Sequence, residues 1–215
     1  LDAEHGPDHP ETLKAQDVRG AVLRELGRTD EALALLLDTV ERRKASLGLE
    51  HRETVDSLNT LATVYYTQGR FEESLEWFEQ VLAFRERDLG PDHPLTITVV
   101  GNLGTSLARL QRYDEALPLL RRAVDSRRAT LGDEHPSTLG ALNNLGATLR
   151  RAGDLEGAEA MAHEAWMGRK RALGDAHVDT MESLSNYAGV LTEQKRYEDA
   201  EPVYEEGIRL AKERP

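Results

Sequence analysis

The sequence predicts an all-α protein, built as a solenoid of five helix-turn-helix repeats with ten helices. Five of the seven histidines recur at one constant interval, without insertion or deletion. They are His9, His51, His93, His135 and His177. Glycines recur in the same register at positions 6, 48, 90, 132 and 174. A fixed period of about 20 to 50 residues indicates a repeat array, in which each repeat buries its apolar face only against the neighbouring repeats.

Each repeat contains two helical patterns. In the second repeat the apolar residues follow the helical period over 58–65, stop at the segment 68–70 and resume over 71–82. This pattern predicts a first helix, helix A, over about 54–67 and a second, helix B, over about 72–87. The segment Leu89-Gly90-Pro91 predicts the end of helix B, because glycine accepts a positive φ and proline cannot continue a helix.

The period divides the chain, residues 1–215, into one array with repeats at about 6–47, 48–89, 90–131, 132–173 and 174–215. Small residues recur where the helices must approach closely, so we expect the larger Leu61 and Phe78 to interlock there as core. In helix A the small residues are Gly20, Ala62, Gly104, Gly146 and Ala188. Because the chain starts at Leu1 without a basic-then-apolar leader, we expect a fragment of a longer, cytoplasmic protein.

Composition excludes several classes of function. The chain has 27 basic and 39 acidic residues, a net charge of −12, which argues against nucleic acid and anionic membranes as partners. Its longest apolar run, Ala32 to Leu37, is far shorter than the roughly 20 residues of a membrane span. Without cysteine there is no disulfide, thiolate nucleophile or cysteine-ligated zinc. Arginine outnumbers lysine 22 to 5, which suggests a bacterial genome rich in G and C. Proteins remain as the expected partners.

No pattern of a catalytic or metal site occurs. The chain has no HExxH run, no G-x-S-x-G elbow and no phosphate-binding loop, so we expect no enzyme activity and no cofactor. Histidines one repeat apart are separated by about 10 Å, whereas zinc requires nitrogen ligands at about 2.0–2.1 Å. We therefore predict that the repeated histidines bond backbone groups just before helix A, and that His163 is packed or solvated.

Three segments resemble a known family. LGPDHP at 89–94, QRYDEALPL at 111–119 and NNLG at 143–146 are similar to the 42-residue tetratricopeptide repeat of kinesin light chains and many bacterial multidomain signalling proteins. The resemblance covers the whole chain and departs at 17–19 and at Val178. It implies a right-handed superhelix whose A helices line a concave groove, and it is specific for the fold but not for the function.

The groove face is predicted from the A-helix register. If the apolar stripe of helix A packs against helix B, the adjacent face points into the groove. Asparagine is disfavoured within helices, so its recurrence on that face needs a reason. Its side-chain amide could hydrogen-bond the backbone of an extended peptide, as the resemblance implies, or could form hydrogen bonds between neighbouring repeats. The candidate groove residues are Asn59, Thr63, Tyr66, Asn102, Arg109, Asn143, Asn144, Arg150, Arg151 and Asn186.

Three arginines on this face indicate the chemistry of the ligand. Arg109, Arg150 and Arg151 in an acidic chain predict an acidic peptide, although basic residues at a helix C-terminus also complement the helix dipole. We predict a noncatalytic scaffold that binds a peptide or protein segment. The alternatives are a sensor region of a larger bacterial signalling ATPase or protease-like effector, and self-association through exposed array ends, including Tyr204 and Ile208.

Overall fold

The computed structural model describes residues 6–213 of the chain, so the outermost residues of the predicted array, 1–5 and 214–215, lie outside the described part. Residues 6–213 contain ten α-helices and no strand, which confirms the predicted fold class. The A helices are α1 (Pro10–Glu25), α3 (Arg52–Thr67), α5 (Pro94–Arg109), α7 (Pro136–Ala152) and α9 (Val178–Glu193). The B helices are α2 (Thr29–Leu47), α4 (Phe71–Leu89), α6 (Tyr113–Leu131), α8 (Leu155–Leu173) and α10 (Tyr197–Glu213).

Helices α3 and α4 are each slightly longer than the sequence pattern predicts. Helix α3 begins two residues earlier, at Arg52, because His51 caps it: its Nδ1 accepts the backbone N–H of Glu53 at 3.3 Å. Helix α4 continues to Leu89 and ends where Gly90 adopts a φ of 91°. The first turn of such a helix is polar, so the apolar period does not reveal it. The N-cap residue, in contrast, marks where the helix begins.

The chain divides into two compact units, Leu1–Leu110 and Gln111–Pro215. The first unit contains α1 to α5 and the second α6 to α10. Within each unit every helix packs against the helix that follows it in the chain. Consecutive packing of this kind is what the repeat pattern predicts, since each pair buries its apolar face on the next. That all five repeats form one array stays a prediction.

Within each unit the A helices lie closer to one another than the B helices do. Helix α3 contacts both α1 and α5 in the first unit, and α7 contacts α9 in the second. Among the described residues, B helices of the same unit make no contact of comparable extent. The A helices therefore form the inner layer of each unit. That they line a groove stays a prediction.

The small residues lie where helices approach closely, as predicted. A β-carbon added to Gly20 would lie 2.7 Å from Leu36, and one added to Gly146 would lie 3.2 Å from the β-carbon of Met161. Leu61 is fully buried and Phe78 is only 1% exposed. These residues are therefore core, which confirms the prediction from their recurrence.

Candidate functional site

The A helices α3, α5, α7 and α9 each have two buried faces and a narrow exposed strip between them, whereas α1 has one buried face. In α3 one buried face contains Leu58 and Tyr65, and another contains Ser57 and Val64. Since neighbouring helices cover both faces, the positions left at least partly exposed follow the helical period. In α3 they include Asp56, Asn59, Thr60, Thr63, Tyr66 and Thr67. We call these positions, and the equivalent positions of the other repeats, the A-helix surface.

In the first unit the predicted residues lie on this surface, but the side chains of three of them have partners within the unit. Tyr66 contacts Phe71 edge to face, with ring centroids 5.4 Å apart. The Arg109 guanidinium lies over the same Phe71 ring, 5.1 Å from its centroid, which is a cation–π geometry. Thr63 donates its hydroxyl to the Asn59 carbonyl oxygen at 2.9 Å. Tyr66 and Arg109 are therefore brought together around Phe71, and Arg109 stays exposed.

The two asparagines of the first unit differ in position. Asn59 and Asn102 occupy adjacent positions of the repeat, so they point about 100° apart around a helix axis. Both are partly exposed, but the Oδ1 atom of Asn59 is buried and has no hydrogen-bond partner among the described residues. That oxygen is not accessible to a ligand in this conformation.

In the second unit the structure brings three predicted residues together. Asn143, Arg150 and Asn186 line a small depression between α7, α8 and α9. The Asn186 side-chain amide donates to Oδ1 of Asn143 at 2.8 Å, which joins the A helices of adjacent repeats. Of the two roles open for the asparagines, this pair therefore performs the one between repeats. Asn144 is exposed beside the depression and does not line it.

The predicted basic residues do not form one cluster. Arg150 is half-buried, and its Nε lies 3.7 Å from a carboxylate oxygen of Glu193 in the next A helix. Arg151 is exposed and does not line the depression. Sequence reasoning placed both arginines on one face, but they are adjacent in a helix and so project in different directions.

The repeated histidines have the structural role that the sequence predicts. Each is the N-cap of an A helix, and its Nδ1 accepts the backbone N–H two residues later at 3.1–3.3 Å. This bond satisfies one of the donors that have no partner within the helix. In the described part of the chain, no three histidine or carboxylate side chains are grouped so that they could hold a metal ion. His163 packs edge to face on Trp166 and Tyr187.

Sequence reasoning missed a second periodic series, of arginines near the end of helix B. Arg43, Arg85, Arg127 and Arg169 recur at the same interval as the histidines. Each donates from Nη1 to the carbonyl of the second residue of the following A helix, at 2.6–3.3 Å. Basic residues near a helix C-terminus complement the helix dipole, but Arg43, Arg85 and Arg169 also have a packing role, because they are at most 9% exposed. Their constant interval was the signal that could have identified them.

Fold and surface define a class of protein built from α-helical repeats with a polar strip along its A helices. A family model described as Tetratricopeptide repeat matches residues 16–87, 53–125 and 98–165, and a second model of that description matches 180–214. Together these matches cover most of the sequence. The chain belongs to the tetratricopeptide repeat family, as the motif resemblance predicts.

Solved structures share this fold. A putative kinesin light chain of Podospora anserina with nearly identical TPR-like repeats matches with a TM-score of 0.82 and 24% identity, over 96% of this chain and 99% of that one. BtubC from P. vanneervenii matches with a TM-score of 0.78 and 18% identity, over 94% and 80%. A Rap protein complexed with competence and sporulation factor matches with a TM-score of 0.75 and 17% identity, over 91% and 52%.

Two further findings concern curated proteins and membrane spans. None of the curated proteins compared with this chain matches it. No helix within residues 6–213 combines the length and apolarity that crossing a bilayer requires. Sequence identities as low as those of the solved structures establish the shared fold alone, so any ligand must be argued from this chain's own surface.

Proposed function

We propose that the chain is a noncatalytic scaffold that binds a peptide or protein segment along its A-helix surface, with the five repeats acting as one array. The observation that carries this proposal is the depression lined by Asn143, Arg150 and Asn186. Although Asn186 donates one N–H to Asn143, each amide has further donor and acceptor capacity, and together with the Arg150 guanidinium these groups can bond the backbone and the carboxylates of an extended chain. A Rap protein of the same fold is solved in complex with competence and sporulation factor, so the fold is compatible with binding a partner of that kind.

The exposed groups of the surface favour an acidic ligand. Arg109 and Arg151 present guanidinium groups on the A helices of different repeats, in a chain whose net charge is −12. Tyr66 and Phe71 add an aromatic contact beside Arg109. Aromatic and arginine side chains supply most of the binding energy in many interfaces, so we expect these groups to anchor the ligand.

The test is selection of binders from a displayed library of random peptides, followed by affinity measurement with the selected peptides. Replacing Arg150 and Arg151 together by glutamate is expected to weaken binding at least about tenfold, because two charge-assisted hydrogen-bond donors become repulsive charges. The far-ultraviolet circular dichroism should not change, since Arg150 and Arg151 contribute little core packing.

The matched control replaces Arg19 and Arg121 by glutamate. Both are exposed, both lie outside the A-helix surface, and the net charge changes by the same amount. This control should bind the selected peptides with an affinity close to that of the wild type. If the Arg150 and Arg151 variant binds as tightly as the control, or if no peptide is selected, the proposed function is wrong.

A second candidate function, self-association, is favoured by the exposed apolar face of α10. Tyr197, Tyr204 and Ile208 are 62%, 43% and 57% exposed. They line a shallow surface together with Ala200, and apolar patches of this kind drive contacts between proteins. Sedimentation equilibrium should detect a dimer that Tyr204→Ser with Ile208→Ser disrupts. A wild-type protein that stays monomeric at high concentration would exclude this function.

A further inference from the structure

Three of the four periodic arginines of the B helices form an ion pair with a carboxylate of this chain. Arg43 pairs with Asp17 at 3.0 Å. The other two pairs are of similar length: Arg85 with Asp56 at 3.0 Å and Arg169 with Glu182 at 3.3 Å. A guanidinium held against the start of an A helix is thus normally neutralised by a carboxylate of this chain.

Arg127 is the exception in this series. Its Nη1 donates to the Ser137 carbonyl oxygen at 3.3 Å. Within residues 6–212, no carboxylate forms an ion pair with it. Burial lowers the pKa of Arg127, and no nearby charge acts in the opposite direction. A guanidinium nevertheless stays protonated, so Arg127 is a partly buried cation with most of its donors unused among the described residues.

The sequence explains why Arg127 has no carboxylate. Asp56 in α3 and Glu182 in α9 occupy the same position of the repeat, one in the A helix before its arginine and the other in the A helix after it. For Arg127 the two equivalent positions are Thr98 in α5 and Gly140 in α7. Neither residue carries a charge, and Gly140 has no side chain at all.

The surface at Gly140 is open. A β-carbon added to this glycine would meet no atom within 4 Å, and its φ is that of an ordinary helical residue. Neither space nor backbone conformation therefore requires glycine here, although glycine is the poorest helix former after proline. A side chain at this position would find room where Glu182 meets Arg169 one repeat later.

This open surface is continuous with the candidate binding residues of α7. Gly140, Asn144, Ala147 and Arg151 follow one another at helical spacing, and all four are exposed or partly exposed. Arg151 lies about 16 Å along the helix axis from Gly140. A ligand on the A-helix surface of the second unit would therefore reach both cations.

We propose that Arg127 and the open surface at Gly140 form a subsite for the carboxylate of an aspartate or glutamate side chain of the bound peptide. The proposal rests on the proposed function and specifies the chemistry of its ligand. Arg127 supplies the planar fork that binds a carboxylate through two hydrogen bonds, in place of the side chain missing at position 140. Because this arginine is partly buried, the pair is screened less than one between exposed groups.

The test supplies the missing carboxylate within the chain. Gly140→Glu is expected to pair with Arg127 as Glu182 pairs with Arg169, and so to weaken binding of selected acidic peptides about tenfold or more. Gly140→Gln has the same shape without the charge and should weaken binding much less. Arg127→Gln should abolish the difference between these two variants, because a double-mutant cycle removes effects that do not depend on the pair.

A direct probe does not depend on a selected peptide. The Nε–Hε resonance of Arg127, assigned by its loss in Arg127→Lys, should shift saturably with sodium acetate and not with sodium chloride at equal ionic strength. In Gly140→Glu the resonance should not respond to acetate. Gly140→Glu leaves Arg127 in place, so this comparison needs an Arg127 substitution only to assign the resonance.

The outcomes separate the two proposals. If peptides are selected and bind wild type, Gly140→Glu and Gly140→Gln equally, the subsite is wrong and the proposed function stands. If no peptide is selected, the proposed function fails, and a peptide subsite fails with it even where acetate shifts the Arg127 resonance. Selected peptides that lose affinity when their own acidic residue is amidated, and that bind Gly140→Glu weakly, support both.

Discussion

The repeated histidines act at the scale of single residues by capping helices. The Nδ1 atom of His93 accepts the Leu95 N–H at 3.2 Å, and the other four form the equivalent bond. Accepting through Nδ1 requires that this nitrogen carries no proton, so each cap uses the imidazole with hydrogen on Nε2. The histidines thereby fix where each A helix begins and leave the apolar stripe in a constant register.

Removing one cap should measure its contribution. We expect His93→Ala to lower the free energy of unfolding by about 1 kcal/mol, because one N–H of the first turn of α5 loses its partner. Urea denaturation followed by circular dichroism provides the measurement. His93→Asn is the matched control, since asparagine is itself a strong N-cap. An equal loss in both variants would show that His93 stabilises by packing.

Within the described part of the chain, two residues other than glycine adopt a positive φ, and both lie in the turn between helices A and B. They are Gln111 at 61° and Lys195 at 63°, whereas other repeats have glycine there, such as Gly69 and Gly153. A side chain in the left-handed region brings Cβ close to the following carbonyl oxygen. Lys195 therefore carries a local cost that glycine would avoid.

Lys195→Gly is expected to stabilise the protein, by about 1 kcal/mol when strain relief exceeds the added entropy of the unfolded chain. The melting temperature by calorimetry should rise accordingly. Lys195→Ala is the control, because it removes the same charge and keeps the β-carbon. If alanine raised the melting temperature as much as glycine, charge and not backbone strain would be the cause.

At the scale of helices, close approach depends on small residues at fixed positions. The β-carbon position of Gly146 in α7 lies 3.2 Å from Met161 and 3.4 Å from the backbone nitrogen of Ala162, both in α8. Interiors are packed about as densely as organic crystals, so this contact has no room for a larger group. The small residues of the core follow from this one requirement.

Gly146→Leu should therefore overpack the contact between α7 and α8 and lower the free energy of unfolding by about 1–3 kcal/mol. Gly140→Ala, on the open side of the same helix, should instead raise it by about 0.5–1 kcal/mol through helix propensity. Chemical denaturation of both variants measures the two effects. A destabilising Gly140→Ala would mean that position 140 is not open.

At the scale of the whole molecule, arginine–glutamate pairs recur at the start of B helices. Arg28 bonds Glu31, and the equivalent groups of the next two repeats do the same at 2.7–2.8 Å. These are Arg70 with Glu73 and Arg112 with Glu115. The hydrogen bond from each arginine lowers the pKa of its glutamate below the ordinary value.

Stability should consequently fall on acidification. A carboxylate whose pKa is lower in the folded than in the unfolded chain contributes stability that is present above the unfolded pKa and lost as the pH falls through the folded one. Urea denaturation at pH 7, 5 and 3 should show the fall mainly below pH 5. Burial raises the pKa of Asp17, which acts in the opposite sense.

The control replaces Glu31, Glu73 and Glu115 by glutamine, which keeps their shape and removes their titration. Its unfolding free energy should depend less on pH between 5 and 3 than that of the wild type. Because the three glutamates are exposed, added salt should also reduce the difference. An unchanged pH dependence would show that other carboxylates, and not these pairs, determine acid stability.

The candidate surface was predictable in position but not in pairing. A constant register placed Asn143, Arg150 and Asn186 on the A helices, where the structure has them. It did not show that Asn186 bonds Asn143, or that Arg150 lies near Glu193. Such partners belong to different repeats, and their distance depends on how tightly the helices pack.

The sequence by itself determined the fold, because a constant repeat interval with capping histidines and helix-ending glycines sets every helix in a fixed register. Its periodicity also identified the small residues of the core. Only the tertiary structure decided which charges are neutralised, since an ion pair needs atoms from helices far apart in sequence to meet within a few ångströms. Arg127 repeats the pattern of Arg85 in sequence, and it differs because no carboxylate of the described residues forms an ion pair with it.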